Sequence, residues 1–328
     1  MTTHPGCLYC GGRDLELLYR GVKDRLGHVP GERTFLRCRG CGSAVLDPVP
    51  TTDELPGFYP PVYTFSAKGH GRGGLRRVLA AAEYHLFFAP QYRAQVRAVT
   101  RACGKAGRGR VLLDVGCGHG LRLVEFRKLG FAVHGLDLQP EAVRYLNSEL
   151  GVPAECGDVT AIGRLYAPAS FDVVTAFHLI EHVPDVPRLL ADVFAVLKPG
   201  GWFAAATPLV DSVQARLFGR RWAAVMESPR HLGLASTAGL IRACARAGLV
   251  DARVEPDSVL NCAGHYGLSL VPGGAVTGTY TPGRLRSLAT RAAAGLAAVA
   301  AVPVCLAEGA LGRPALGIVT ARKPGGGP

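Results

Sequence analysis

The chain has 328 residues, the length of about two domains at roughly 150 residues each. Hydrophobic residues make up 48% and charged residues 19% of the sequence, so the chain can bury a substantial core. This composition excludes intrinsic disorder, collagen and coiled coil as the overall state. The net charge of +12 permits anionic partners such as nucleotide sugars, nucleic acid or acidic lipid, and selects none of them.

The two ends of the chain bear on localisation. The first ten residues are polar and already contain Cys7 and Cys10, which is not the pattern of a secretion signal. The longest uncharged apolar run, residues 292–307, contains Pro303 and is shorter than the about 20 apolar residues that a membrane-spanning helix needs. We therefore expect a cytoplasmic protein without a transmembrane segment, in which this run forms a buried helix. Peripheral contact with a membrane is the alternative for it, and the oligomeric state stays open.

Two C-x-x-C-G turns separated by 27 residues carry four thiols near the N-terminus: Cys7, Cys10, Cys38 and Cys41. Soft thiolates in two such turns are a specific signal for tetrahedral zinc, whereas four unrelated thiols are the alternative. Strand-like stretches, Leu15–Tyr19 and Thr34–Arg37, lie between the turns. The pattern predicts a zinc ribbon over residues 1–60. Its zinc is structural, because four thiolates leave no open coordination position.

Residues 61–105 are predicted to form a linker followed by N-terminal helices. The linker is rich in Pro and Gly, and helical periodicity then runs from Leu75 to Cys103 with a break at Pro90. Two helices are therefore expected before the main domain.

From Arg110 onward, short apolar runs alternate with amphipathic segments. The predicted strands are Val111–Val115, Ala132–Leu136, a short one before Gly157, Phe171–Phe177, Trp202–Ala206 and Ala315–Thr320. The predicted helices are Leu121–Leu129, Glu141–Leu150, Val186–Leu197 and Thr237–Ala247, the last capped by Ser236. Strands that alternate with helices indicate an α/β fold with a doubly wound, Rossmann-like sheet over residues 106–328, ending in a C-terminal cap segment.

A glycine-rich turn and two acidic residues lie at the predicted carboxyl ends of successive strands. Glycines occupy positions 116, 118 and 120, and Leu121 stands where a dinucleotide fingerprint requires its third glycine. Asp137 ends the second strand, where a carboxylate can take both ribose hydroxyls, and Asp158 follows the third strand, where a side chain can reach an adenine edge. Open α/β sheets bind ligands at these strand ends.

The motifs Asp114-Val-Gly-Cys-Gly-His-Gly, Gly-Leu-Asp137, Gly-Asp158-Val, the stretch from Phe171 to Val183 and Leu-Lys-Pro-Gly-Gly together resemble the class I S-adenosylmethionine (SAM)-dependent methyltransferases over about residues 110–250. The resemblance implies SAM as cofactor. It places the loop glycines beside the amino acid end of SAM, Asp114 at its amino group, Asp137 at the ribose, and Asp158 with Val159 at the adenine. The full cofactor set that it implies is Asp114, Gly116, Cys117, Gly118, Gly120, Asp137, Leu138, Asp158, Val159 and His178.

The order of the whole chain, with the ribbon first and Pro229-Arg230-His231-Leu232 after the fifth strand, is similar to bacterial small-molecule methyltransferases. These include the zinc-containing C-methyltransferases of deoxysugar biosynthesis. In that group the residue before the histidine is typically acidic, whereas here it is Arg230. This departure argues against carboxylate-assisted C-methylation and leaves His231 as the imidazole candidate.

His178, Glu181 and His182 follow the fourth strand and would share one face if the chain turned helical there. A zinc-peptidase motif of this spacing is disfavoured by its context, and a divalent metal that clamps an acceptor is a second alternative. The favoured hypothesis is acid–base chemistry, in which an imidazole takes a proton from an acceptor hydroxyl. A purely structural role, with the histidine capping the strand end, has equal weight. The predicted catalytic set is His178, Glu181, His182 and His231.

These features predict a SAM-dependent methyltransferase that acts on a small-molecule acceptor, a sugar or secondary metabolite, at oxygen. The alternatives are C-methylation of a nucleotide-linked deoxysugar and methylation of RNA, in which the zinc ribbon would bind the RNA. We do not expect a nucleic-acid partner, because basic residues interleaved with aromatics are sparse and Arg220-Arg221-Trp222 is among the closest approaches to such a patch.

Overall fold

A computed structural model describes residues 6–25, 27–51, 53–59, 88–104, 107–271 and 284–325. These residues form two sheets, one of seven strands and one of four. The first of the two predicted N-terminal helices lies outside the described residues. The second is helix α1, Ala89–Cys103, which begins with Pro90 in its first turn and ends at Gly104 in the left-handed conformation.

The large sheet is the predicted doubly wound sheet. Its strands are β4 (Val111–Val115), β5 (Ala132–Asp137), β6 (Ala154–Cys156), β7 (Phe171–Phe177), β8 (Leu197–Pro208), β10 (Val250–Pro256) and β11 (Leu316–Arg322). Their spatial order is β10-β11-β8-β7-β4-β5-β6. The strands from β8 to β6 in this order pair in parallel, whereas β11 pairs antiparallel with both β8 and β10. The sheet is therefore mixed rather than wholly parallel, since the chain returns to β11 from the C-terminal helix.

The helices of this domain are α2 (Leu121–Lys128), α3 (Pro140–Tyr145, extended by a π-turn to Leu150), α4 (Ile162–Leu165), α5 (Val186–Val196), α6 (Val213–Phe218), α7 (Thr237–Arg246), α8 (Val259–Leu270) and α9 (Arg284–Ala310). Local caps explain several of the boundaries. Asp185 accepts a hydrogen bond from the Arg188 amide at the start of α5, and Ser236 accepts one from the Gly239 amide at the start of α7, as predicted.

The small sheet contains the ribbon strands β1 (Leu15–Lys23), β2 (Glu32–Cys38) and β3 (Ala44–Asp47). Its fourth strand, β9 (Gly233–Leu234), comes from the second half of the chain and pairs antiparallel with β3. Arg242 and Arg246 of α7 donate to the carbonyls of Gly40 and Cys10. The ribbon is thus joined to the methyltransferase-like sheet by main-chain pairing and one continuous core. The domain boundary at residue 60 stays a prediction.

The C-terminal apolar segment is only half buried, which corrects the expectation of a buried helix. One face of α9, formed by Ala294, Ala298, Ala301 and Cys305, is buried, and the helix packs against α8. On the opposite face Leu296 is 73% and Val299 is 72% exposed. By length and composition alone residues 292–310 could cross a membrane, with 28% of the stretch buried. Alanines permit close contact with α8 on one side, and no described element covers the other side.

Candidate active site and cofactor-binding edge

The glycine-rich loop lies between the central strand β4 and helix α2, at the point where the strand order reverses. Gly116, Gly118 and Gly120 all have positive φ, at 70°, 52° and 66°. A Cβ at Gly116 would lie 3.1 Å from Leu179, whereas one at Gly118 would meet nothing within 4 Å. The loop is therefore held from below and open above Gly118, which is the arrangement needed by a ligand that lies across it.

Asp137 is the last residue of β5 and is tied to this loop. Its Oδ2 accepts a hydrogen bond from the Gly118 amide at 2.7 Å, and its Oδ1 accepts one from the Gln139 amide at 2.9 Å. Burial raises the pKa of Asp137, although both amides lower it. Leu138 beside it is 63% exposed. A carboxylate next to an open apolar side chain is a surface suited to a ribose and the face of a base.

Three other predicted cofactor residues, Asp158, Val159 and Cys117, differ from Asp137 in their exposure and contacts. Asp158 follows β6 and caps a short 3₁₀ turn, accepting hydrogen bonds from the amide and hydroxyl of Thr160 at 2.9 and 2.6 Å, and it is exposed. Val159 is half-buried against the core. Cys117 is 3% exposed, and burial raises the pKa of its thiol. Only its main chain therefore faces the loop opening.

Asp114 lies beneath the loop and is fully buried. Its Oδ1 accepts a hydrogen bond from the Thr175 hydroxyl at 2.7 Å, and Arg122 lies 3.7 Å from Oδ2. Oδ2 has no hydrogen-bond partner among the described residues. Burial raises the pKa of Asp114 despite the nearby Arg122. A buried acceptor without a donor suits a ligand ammonium group, as the resemblance implies.

His178 follows β7, the strand next to β4, and adopts a left-handed conformation with φ of 55°. Its Nε2 lies 2.6 Å from the side-chain amide of Gln91 and 3.2 Å from that of Gln95, both on α1. Asp257 lies 3.6 Å from Nε2, and Glu181 lies 3.8 Å from Nδ1. Burial disfavours the charged imidazole, but the two carboxylates outweigh it and raise the pKa of His178 to about 9. The two amide nitrogens only donate, so they favour a ring whose Nε2 accepts, whereas the two carboxylates favour the protonated ring.

The predicted helical face across residues 178–182 does not form. The left-handed His178 interrupts the chain, and only a 3₁₀ turn, Ile180–His182, follows it. His182 consequently points away from His178 toward the loop that carries His231, with its ring centroid 4.8 Å from that of His231.

Glu181, His182 and His231 come together as a compact cluster, with one ligand atom of each within 4.8 Å of the others. Burial would raise the pKa of Glu181, but His178 and the other imidazoles lower it to about 2. Burial and the nearby His231 lower the pKa of His182 to about 4, and burial also lowers the pKa of His231. The cluster thus pairs an ionised carboxylate with two neutral imidazoles.

Arg230, the residue that departs from the deoxysugar pattern, points away from this cluster. Its side chain is fully buried and donates to both oxygens of Asp24, at 3.1 and 2.5 Å, and to the carbonyl of Phe58. Glu227 lies 3.2 Å from the same guanidinium. Arg230 therefore joins the ribbon segment to the His231 loop and is not a group that touches an acceptor.

The four predicted zinc ligands converge in the ribbon. The Sγ atoms of Cys7 and Cys41 are 3.6 Å apart and those of Cys10 and Cys38 are 3.5 Å apart. All four thiols are free, with their ligand atoms within 4.8 Å of one another. A Cβ on Gly12 would lie 3.2 Å from the Cys38 sulfur, so a glycine is needed at this position. Four closely spaced thiols fit a tetrahedral metal site.

Several residues of the histidine region were missed by the sequence analysis. Gln91 and Gln95 come from α1, Asp257 precedes α8, and His265 lies within α8. Burial lowers the pKa of His265 to about 3, and its Nδ1 has no hydrogen-bond partner in the described part of the chain. No local motif marks these residues, because they come from the regions of α1 and α8, which only folding brings to the end of β7.

The sheet order, the glycine-rich loop and the acidic strand ends define a nucleoside-binding α/β protein of the class I methyltransferase type. A family profile described as a methyltransferase domain matches residues 86–254, just over half of the chain. The chain therefore belongs to the class I SAM-dependent methyltransferases, and its cofactor is SAM.

Two similar curated proteins carry the same name. A ubiquinone biosynthesis O-methyltransferase of Paraburkholderia phymatum is 34% identical over 174 residues, 49% of this chain and 73% of that protein. A protein of the same name from Methylobacterium nodulans is 39% identical over 99 residues, 29% of this chain and 40% of that protein. This chain thus spans less than half the length of the second relative.

Solved structures show the same fold at low sequence identity. Phosphoethanolamine N-methyltransferase 2 of Haemonchus contortus, in complex with phosphomonomethylethanolamine and S-adenosylhomocysteine, superposes with a TM-score of 0.51 and 17% identity over 76% of this chain and 58% of that chain. A candidate sarcosine dimethylglycine methyltransferase of Galdieria sulphuraria gives a TM-score of 0.50 and 16% identity, over 76% of this chain and 88% of that chain.

Proposed function

We propose that this protein transfers the methyl group of SAM to a hydroxyl oxygen of a small-molecule acceptor, a sugar or secondary metabolite. The observation that carries the proposal is the cluster of buried Glu181 and His231 with half-buried His182, which lies beside His178 at the end of β7, the strand next to β4. Transfer at oxygen is also supported by the relatives that are named O-methyltransferases.

The reaction requires that the acceptor oxygen be held close to the methyl carbon and that the acceptor hydroxyl lose one proton. The acceptor oxygen forms a bond to the methyl carbon at an approach of about 3–3.5 Å, while the carbon–sulfur bond breaks and its electron pair returns to sulfur. The hydroxyl proton must leave. The Nε2 atom of His178 is already engaged by the side-chain amides of Gln91 and Gln95, whereas burial lowers the pKa of both His182 and His231 and so favours their neutral forms. We therefore assign activation of the acceptor to the Glu181–His182–His231 cluster and electrostatic positioning to His178.

The two alternative acceptors have less support. Carboxylate-assisted C-methylation would need an acidic group in place of Arg230, whose side chain is buried in ion pairs with Asp24 and Glu227. RNA binding through Arg220-Arg221-Trp222 would need an exposed aromatic ring, and Trp222 is fully buried.

We further infer that the four cysteines hold a structural zinc ion. The observation is the cluster of four free thiols with paired sulfur distances of 3.6 and 3.5 Å. Zinc bound there would close the ribbon, a small module that has little core of its own.

The test is transfer of label from methyl-labelled SAM to a cell extract that has been separated into small-molecule, lipid and RNA fractions. Label in the small-molecule fraction, recovered as a methyl ether, is the expected result. Label in RNA, or at carbon, overturns the assigned acceptor, and absence of label from every fraction overturns the activity. Asp137→Ala at low SAM concentration serves as the control, since it should label nothing above background.

A further inference from the structure

The Glu181–His182–His231 cluster contains a buried anionic oxygen without a partner. Glu181 is 2% exposed, and its Oε2 has no hydrogen-bond partner among the described residues. Burying a carboxylate oxygen without a hydrogen-bond donor costs more free energy than burying one that has a donor. Such an atom therefore indicates a missing donor or cation.

The two imidazoles are held in a fixed tautomer by main-chain carbonyls. The Nδ1 atom of His231 lies 2.7 Å from the carbonyl oxygen of Ala224, and that of His182 lies 3.0 Å from the carbonyl oxygen of Arg230. A carbonyl only accepts, so each Nδ1 carries the hydrogen and donates it. Each Nε2 then keeps a free lone pair. A histidine that donates Nδ1–H to a main-chain carbonyl is the usual arrangement of a histidine that ligates a metal.

We propose that Glu181, His182 and His231 bind a divalent transition-metal ion, with zinc as the best match to their chemistry, and that this ion takes the hydroxyl oxygen of the acceptor at its open position. Two imidazole nitrogens and one carboxylate oxygen are the ligands that catalytic zinc sites use when one position remains for substrate. The spacing is suitable, because one ligand atom of each residue lies within 4.8 Å of the others and a small inward shift closes the set.

This site is separate from the four-cysteine cluster in ligand type and in role. Four thiolates would occupy every coordination position of a zinc ion in the ribbon. An ion bound by Glu181, His182 and His231 would have only three protein ligands and would keep one position open. With both Nε2 atoms bound to the ion, the imidazoles would serve as ligands instead of taking the proton; the ion would lower the pKa of a bound hydroxyl, the proton would pass to solvent water, and the oxygen would attack the methyl carbon as described above. The metal site stands on the described contacts alone, and only the part concerning the acceptor rests on the proposed function.

The first test is metal content. The full chain, purified without a histidine tag and incubated with excess Zn²⁺ before desalting, should contain about two zinc ions per chain by elemental analysis. Glu181→Gln and His231→Gln should each contain about one, with unchanged circular dichroism. His265→Gln is the matched control, because it removes a neighbouring buried imidazole outside the ligand set, and it should keep about two. One zinc ion in the wild type, or two in both variants, overturns the site.

A second readout separates this site from the proposed function. If the wild type binds two ions but labels no acceptor, the proposed function fails and the metal site stands. If Glu181→Gln binds one ion and methylates at the wild-type rate, the acceptor role of the metal is wrong while methyl transfer stands.

Discussion

At the scale of single residues, the site depends on charges whose positions are fixed by main-chain amides and by burial. Asp137 is the clearest example, since two amides hold its carboxylate at the edge of the glycine-rich loop. The same contacts that shape the loop hold the carboxylate where the resemblance to class I methyltransferases implies the ribose of SAM. A change here should therefore act on cofactor binding first.

Asp137→Ala should weaken SAM binding about 10- to 100-fold, because it removes charge-assisted hydrogen bonds worth about 1.5–3 kcal/mol. Isothermal titration calorimetry with SAM measures the effect. Asp185→Ala is the control: it removes the N-cap of α5 and lowers stability by about 1 kcal/mol, with no change in SAM affinity. Equal SAM affinity in Asp137→Ala and the wild type would contradict the assignment.

His265 should make the fold less stable in acid. Its pKa is about 3 in the folded protein and about 6.5 in the unfolded chain, so between these values only the unfolded chain takes up the proton. Stability is thus lost as the pH falls from 6.5 toward 3, by about 2 kcal/mol at pH 5. Thermal denaturation of His265→Gln at pH 7 and pH 5 should show a smaller acid loss than the wild type. Equal losses in the two proteins would contradict the prediction.

At the scale of elements, buried contacts between distant segments hold the ribbon and the C-terminal helices in place. Arg230 joins the His231 loop to Asp24 of the ribbon segment, and α9 lies against α8 with little space between the backbones. Both contacts involve residues far apart in sequence. Each can be tested with a neighbouring residue as control.

Asp24→Ala should destabilise the protein by about 3–5 kcal/mol, because it leaves a fully buried guanidinium without its main partner. Lys23→Ala is the control, since Lys23 belongs to an exposed ion pair with Glu32 and should have no measurable effect. Urea denaturation followed by circular dichroism compares them. If Asp24→Ala lowered the free energy of unfolding as little as Lys23→Ala, the buried ion pair would not contribute to stability.

Two glycines of α8 should respond to alanine with opposite signs. A Cβ at Gly267 would lie 2.2 Å from the Ala294 carbonyl oxygen of α9, so Gly267→Ala should cost about 1–3 kcal/mol through overpacking. At Gly264 nothing lies within 4 Å, so Gly264→Ala should stabilise the helix by about 0.5–1 kcal/mol. Thermal melting of the two variants is the measurement. If both stabilise, α9 does not pack on α8 as described.

At the scale of the whole molecule, the ribbon and the SAM-binding edge have different tasks. Strand β9, which follows His231 directly, belongs to the ribbon sheet, whereas the SAM-binding strands belong to the large sheet. Loss of the ribbon should therefore disturb the acceptor side of the site and leave the cofactor side intact.

Cys38→Ser should lose the ribbon zinc, melt at a lower temperature and lose methyl transfer, while its SAM affinity stays within about threefold of wild type. Cys156→Ser, a change at an exposed cysteine outside the cluster, should keep the metal and the activity. Elemental analysis, calorimetry with SAM and label transfer give the three readouts. Loss of SAM affinity in Cys38→Ser would mean that the ribbon also supports the large sheet.

Much of the cofactor side could be read from the sequence because its features are local. The glycine-rich loop, Asp137 and Asp158 each follow a strand with clear apolar patterning, and parallel strands place their carboxyl ends together. The cysteine pairs are local in the same sense. The shared face of His178 and His182 depended on a helical turn that does not form, since a left-handed residue at a strand end has no signature in the residue pattern.

The sequence by itself determined the class of fold, the acidic strand ends beside the glycine-rich loop and the four-cysteine cluster, because short-range spacing and strand periodicity carry that information. The tertiary structure alone decided which histidines meet and in which direction their pKa values shift. Asp257 and Glu181 raise the pKa of His178, while burial lowers the pKa values of His182 and His231. It also decided that α9 is covered on one side only. These outcomes depend on contacts between elements that are separated in the chain, such as that of His178 with Asp257, because packing sets the dielectric surroundings and the neighbouring charges.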